Sequence, residues 1–358
     1  MDHVLARVRA SAPLWAGGVL SVLLFLFGVR LLGTATEAAV VPLRRLFRGY
    51  VTGDAQALGV SWLATYAIAN GSIVAALSVS LFDSGVVTAT QLFLMVAGSR
   101  LGAAAIVVLL GALDHLQTRR SSLGEATSLG LLTFLLTHSV YLPATLVGYL
   151  LLPWLQGPLA ALGARIESPR QLSSFDSATT GIVDALGVPL GFGAAVVALF
   201  VSLHLFDRVL KRIDTTWLRE RLFARFHRVW VALGLGVVLT GLTTSVAFSL
   251  GVIVPLYNRG YLKRREVVPY VLGANLGTLF DTVLVAVVLA SPEGVALVVV
   301  LLLAGALVTV GAVLRFEVYL RAVEALHTRL VEERRYFVGF LALLTVVPLV
   351  LAVISVGL

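Results

Sequence analysis

The chain has 358 residues, 59% of them apolar and 13% charged, against roughly 25% charged in an ordinary soluble domain. So apolar a chain cannot cover itself with polar surface, which excludes a soluble globular enzyme, a disordered chain and a coiled coil and leaves a polytopic membrane protein. The lack of cysteine excludes disulfides, thiolate catalysis and cysteine-bound metals; the net charge of +8 sits in connectors between apolar stretches, where it orients the chain in a membrane and does not call for nucleic acid.

Nine apolar stretches follow one another, at 14–33, 57–82, 92–113, 123–152, 181–206, 229–256, 268–290, 295–314 and 336–357. About 20 helical residues cross a hydrocarbon core of about 30 Å, so each is long enough to span. The first lacks an A-x-A type site followed by a soluble domain and reads as a membrane helix, not a cleaved signal. The connectors 114–122, 207–228, 257–267 and 315–335 are rich in arginine, whereas 83–91 and 291–294 contain no basic residue. The positive-inside rule therefore places the first four in the cytoplasm and the last two outside. Segment 207–228 also holds Trp217, Leu218, Leu222, Phe223 and Phe226 among its arginines, the pattern of an interfacial amphipathic helix.

Two stretches conflict with simple crossing. The stretch 229–256 lies between two basic connectors, and its 28 residues would make a straight helix of about 42 Å. Its middle reads Thr243-Thr244-Ser245, with Gly241, Gly251 and Pro255 nearby. A re-entrant hairpin of two half-helices on the cytoplasmic side resolves the conflict, because irregular backbone at membrane depth is tolerated inside protein or along a cavity. By the same reasoning 57–82 is a hairpin on the outer side, which puts Arg44, Arg45 and Arg48 outside.

An internal repeat joins the two hairpins. Gly98-Ser99-Arg100-Leu101-Gly102 resembles Gly273-Ala274-Asn275-Leu276-Gly277 at an offset of 175 positions, and Thr65, Val79, Leu81, Gly85 and Val96 find identical residues at the same offset without a gap. Connector charge makes the two copies inverted. Inverted repeats with broken helices point to a secondary transporter whose site lies near the bilayer midplane. The expected division is 1–56 N-terminal helix and connector, 57–152 first repeat, 153–228 external loop, span and basic segment, 229–314 second repeat, and 315–358 basic segment and final helix.

Candidate site residues come from the hairpin centres and the glycine motifs. GANLGT, Gly273 to Thr278, reads either as a locally unwound site or as a small-x-x-x-small packing face. In the first reading free carbonyls with Asn275 and Thr278 hold sodium or an oxyanion, aided by Thr243, Thr244, Ser245 and Ser249 of the hairpin. A half-helix starting near Ser245 would aim its amides at the midplane, which suits an anion. In the first repeat Asn70 and Ser72 occupy the hairpin centre, and Arg100 stands where the second repeat has Asn275. An arginine in an apolar span is a functional hypothesis; it either holds an anionic substrate or pairs with a buried acid such as Asp281. Asp281 and Asp184 read as buried carboxylates open to a cation, a proton or an arginine. His138 reads as a hydrogen-bonded packing residue, and Arg30 as a snorkelling one. The six histidines show no helical metal spacing, and no G-x-x-x-x-G-K loop is present.

These motifs resemble the sodium/phosphate cotransporter family, in particular its type II-like bacterial and archaeal members. The resemblance covers about residues 20–310 and is carried by FLFGVRLLG from Phe25, THSVYLPATLVGYLLLP from Thr137, Ser168-Pro169, and VIVPLYNRGYLKRREVVPYVLGANLG from Val252. The chain departs from the family's Gln-Ser-Ser-Ser hairpin hallmark: the matching positions read Ala69-Asn70-Gly71-Ser72 and Thr244-Ser245-Val246-Ala247. The resemblance implies an all-α cell-membrane transporter, not an enzyme, with sodium as coupling ion and no other cofactor, moving phosphate or a similar small anion between two hairpins. The substrate set is then Ser72, Arg100, Thr244, Ser245, Asn275 and Thr278; the ion set is Asn70, Ser249, Asn275, Thr278 and Asp281. Two alternatives stay open: a same-fold carrier with another anion or coupling ion, and a degenerate membrane sensor or partner subunit that does not transport.

Overall fold

The computed structural model describes residues 2–118, 123–165, 175–212, 226–246, 248–250, 253, 257 and 262–354. Every extended regular element among them is a helix: α1 (Asp2–Ala38), α2 (Val40–Tyr50), α3 (Asp54–Ile68), α4 (Gly71–Asp83), α5 (Ala89–Thr118), α6 (Leu123–Gly163), α7 (Asp176–Leu186), α8 (Val188–Lys211), α9 (Val229–Thr243), α10 (Arg264–Gly277), α11 (Leu279–Val288), α12 (Pro292–Leu314), α13 (Phe316–Glu332) and α14 (Arg334–Val353). Seven helical segments among the described residues are long and apolar enough to cross a membrane. The protein is thus an all-α polytopic membrane protein. The two remaining apolar stretches contain the short helices α4 and α9.

Both short stretches fold back on themselves for the same local reason. α3 ends at Ala69 in the left-handed region (φ 55°), and α9 ends at Thr244 in the same conformation (φ 49°). The following side chain caps the returning arm: Asn70 Oδ1 accepts the Ile73 amide at 3.1 Å, and Ser245 Oγ accepts the Phe248 amide at 3.0 Å. A capping side chain satisfies an amide that the helix itself leaves open. Much of 246–256, and residues 213–225 of the segment 207–228 expected to be an interfacial helix, lie outside the described residues.

Glycines set the packing that follows. A Cβ on Gly98 would lie 2.5 Å from the Leu58 carbonyl oxygen, and one on Gly273 would lie 2.0 Å from that of Leu233. One turn on, Gly102 meets Thr65 at 2.7 Å and Gly277 meets Thr240 at 2.8 Å. Each hairpin's first arm therefore lies backbone to backbone on the span after it, α3 on α5 and α9 on α10. Where lipid is as apolar as leucine, such close approach is what holds helices together. The contacts recur at the offset of 175 seen in the sequence, Leu58 against Leu233 and Thr65 against Thr240.

The remaining helices frame these units. α1 packs along α8, α6 lies between α5 and α12, and α14 covers α3. α13 buries Phe316, Leu320, Val323, His327 and Leu330, a helical stripe, and packs against α6. Arg44 of α2 donates to the Gly85 carbonyl at 3.0 Å, tying α2 to the turn after α4.

Several expectations are corrected. The span 92–113 is not broken: α5 runs unbroken from Ala89 to Thr118, because Gly98 and Gly102 are used for contact and stay helical. The span 181–206 is two helices, divided at Gly187 (φ 78°), a conformation that favours glycine. The helix expected at 123–152 continues to Gly163. Asp184 is exposed, not buried.

Candidate functional site

The two hairpin tips meet a common cavity of about 350 Å³. Asn70, Gly71 and Ser72 line it from the first tip, Thr244, Ser245 and Val246 from the second. α5 contributes Arg100, α6 contributes Thr133, Thr137 and Tyr141, and α8 contributes Leu203, Phe206 and Asp207. Asn275, Thr278 and Asp281 complete the wall. Of the residues singled out from sequence, Asn70, Ser72, Arg100, Thr244, Ser245, Asn275, Thr278 and Asp281 come together here.

Arg100 is paired. Its Nη2 lies 3.1 Å from Asp281 Oδ1, with the two side chains 6% and 4% exposed. The same nitrogen donates to Thr282 Oγ1, and the Thr282 hydroxyl donates to Asp281 Oδ1 at 2.8 Å. Ser72 Oγ donates to the other carboxylate oxygen. Asp281 thus ties the first hairpin tip and α5 to α11. Such a pair gains little net stability over apolar packing, but breaking it strands a charge. Arg100 Nε remains buried without a partner.

The glycine motif serves both readings at once. Gly273 and Gly277 are the packing face, while Asn275 and Thr278 reach the cavity. The expected unwinding shrinks to one residue: Thr278 separates α10 from α11 but keeps helical angles (φ −65°, ψ −23°). The Asn275 carbonyl is not free either, because the Tyr141 hydroxyl donates to it at 2.6 Å and the Thr278 hydroxyl at 2.7 Å. Thr137 Oγ1 lies 3.0 Å from Asn275 Oδ1 and 2.9 Å from the Thr133 carbonyl, so one hydroxyl hydrogen serves two acceptors. Asn275 Nδ2 is buried and has no partner.

Ser249 stands apart. It is fully buried between Thr240, which donates to it at 2.6 Å, and the Tyr270 hydroxyl, also at 2.6 Å. It holds the hairpin's second arm to its first arm and to α10, and it does not line the cavity. Asn70 spends its carbonyl oxygen on capping α4. His138 stacks on Phe134 (centroids 3.6 Å apart) off the cavity, with Nδ1 3.1 Å from the Phe134 carbonyl.

Asp207, Thr137 and Tyr141 were not singled out by sequence reasoning. Asp207 opens a segment that reads as a basic connector, yet it lies within α8, just before its last turn, and accepts a hydrogen bond from Ser245. Tyr141 sits in the apolar span containing His138, four residues after Thr137. That i, i+4 spacing of hydroxyls on one helical face was the available signal. Among the described residues no group of histidine, aspartate and glutamate could hold a metal ion by itself.

Fold and cavity define a polytopic helical membrane protein with a cavity that both hairpin tips line. Residues 198–326, about a third of the chain, match the model of the Na+/Pi-cotransporter family. The matched segment runs from α8 through the second hairpin, α10, α11 and α12 into α13. No curated protein and no solved structure matches the chain.

Proposed function

We propose that the protein takes up inorganic phosphate across the cell membrane with sodium, by alternating access around the cavity between the hairpin tips. The observation that carries this reading is the meeting of both tips with Arg100, Asn275 and Thr278 in one cavity, beside a family match over the second hairpin and its span. An oxyanion needs donors that are already in position. Asn275 Nδ2 and Arg100 Nε are buried donors without acceptors, and an unmade hydrogen bond of that kind costs about 1–3 kcal/mol until a ligand oxygen completes it. The Asp281 partner keeps Arg100 from being an uncompensated buried charge.

Connector charge supports an inverted arrangement of the two units. Segment 83–91 has no basic residue and would be external, whereas 257–267 carries Arg259, Lys263, Arg264 and Arg265 and would be cytoplasmic. The first hairpin then opens outward and the second inward, with the cavity between them. Rocking one hairpin-bearing unit against the other would expose the cavity to each side in turn. The Ser72–Asp281 and Arg100–Asp281 contacts link the units and would be remade in each cycle.

The test is labelled phosphate binding to the purified protein in detergent, in sodium and in potassium. Saturable binding that needs sodium and falls at least tenfold in Asn275→Ala is the expected result. Equal binding in both salts, or an unchanged mutant, contradicts the reading.

A further inference from the structure

We propose that Thr137 of α6 is a positioning residue that makes Asn275 a ligand for the anion and not for the cation; the proposal rests on the phosphate reading above. The terminal torsion of an asparagine is broad and roughly two-fold, so an unheld side chain can present either its oxygen or its nitrogen. The oxygen accepts and would ligate sodium. The nitrogen only donates and suits an oxyanion. The atom that faces the cavity therefore decides what Asn275 can hold.

Contacts from α6 make that choice. Thr137 Oγ1 donates to Asn275 Oδ1 at 3.0 Å, and one helical turn on the Tyr141 hydroxyl donates to the Asn275 main-chain carbonyl at 2.6 Å. The i, i+4 spacing puts both hydroxyls on one face of the helix. Thr278 reaches the same carbonyl at 2.7 Å. Thr137, Tyr141, Asn275 and Thr278 are all buried. Both oxygens of Asn275 are thus occupied, and Nδ2 is the atom left over, buried and without an acceptor. The main chain is held from the other side, where Gly273 and Gly277 let α10 lie directly on α9. A donor fixed before its ligand arrives loses no torsional freedom on binding. Arg100, at the equivalent position of the first repeat, has no acceptor atom at all, and its Nε is likewise unpartnered. Both copies of the motif therefore offer the cavity donors.

Two measurements on the purified full chain separate this claim from the phosphate reading. The first is labelled phosphate binding in sodium. Thr137→Val keeps the shape of the side chain and removes the hydroxyl; it should weaken phosphate about three- to tenfold, the range of one neutral hydrogen bond. Thr137→Ser should restore wild-type affinity. The rise of Tm with sodium chloride over choline chloride, taken without phosphate, should be the same in Thr137→Val as in wild type, because Asn275 supplies no sodium ligand. A hydroxyl that only packs the helix would lower Tm and leave phosphate affinity unchanged, and that result overturns the proposal. So does a Thr137→Ser protein as weak as Thr137→Val, or a sodium response altered in Thr137→Val. The second measurement is a double-mutant cycle of Thr137→Val and Asn275→Ala in thermal unfolding without phosphate. The losses in Tm should be less than additive, since each single variant removes the same hydrogen bond. If wild type binds no phosphate, the phosphate reading fails and this cycle judges the Thr137 contact by itself: additive losses overturn it. Should Thr137→Val not fold, Thr137→Ala takes its place in both measurements.

Discussion

Arg100 and Asp281 lie 181 positions apart and meet with both side chains buried, so each depends on the other. Arg100→Met leaves the carboxylate stranded and should cost about 3–5 kcal/mol in unfolding measurements. Arg100→Met combined with Asp281→Leu should recover most of that while abolishing phosphate binding. A single variant costing less than about 1 kcal/mol, the range of exposed pairs, would show that the pair is hydrated. Thr244 makes the opposite case. A β-branched residue in the left-handed region is strained, by about 1–2 kcal/mol for L-residues, and such strain tends to be kept where function needs it. Thr244→Gly should therefore raise Tm while weakening sodium dependence; a lowered Tm would contradict the strain argument. Asn275, Thr278, Ser245 and Arg100 were legible as candidates because polar residues stand out in apolar spans. Asp207 was not, because it borders a basic connector and its partner Ser245 is 38 positions away.

The hairpins were legible as elements because 229–256 could not cross the membrane once without placing a basic connector on the wrong side. Their exact turns follow from two short choices, a left-handed residue and then a capping side chain, which composition alone does not mark. The glycine motif was readable in two ways because a close helix contact and an unwound site ask for the same residues. Packing separates them: Gly273 sits against the Leu233 carbonyl, and Asn275 faces the cavity. Gly273→Ala and Gly98→Ala should each force two backbones apart and cost about 1–3 kcal/mol or more. Gly311→Ala is the control: it is on a helix with nothing within 4 Å of a new Cβ and should be neutral or slightly stabilising. Equal effects in thermal unfolding would contradict the packing role. Sequence periodicity could not foresee that α5 stays unbroken, since its glycines look the same whether they bend a helix or seat it.

At the scale of the molecule, seven spans and two hairpins account for all nine apolar stretches of the sequence. Their direction across the bilayer rests on connector charge, and the lack of native cysteine makes it directly testable. Thr88→Cys and Glu293→Cys, both at exposed positions, should react with an impermeant thiol reagent from outside intact cells. Lys263→Cys and Glu332→Cys, also exposed, should react only after permeabilisation. Labelling of Thr88 and Lys263 from the same side would contradict inversion. Which residues of one unit face the other could not be read from sequence, because cavity contacts join α5, α6, α8 and α11 over long separations.

Coupled transport is the central claim, and a gradient tests it most directly. The protein is reconstituted into liposomes, and uptake of labelled phosphate is followed under an inward sodium gradient and under an equal potassium gradient. Accumulation above equilibrium with sodium alone, lost in Asn275→Ala and collapsed when the gradient is dissipated, is the predicted result. Equal uptake in both salts, or no uptake from a folded preparation that still responds to sodium, would contradict phosphate cotransport.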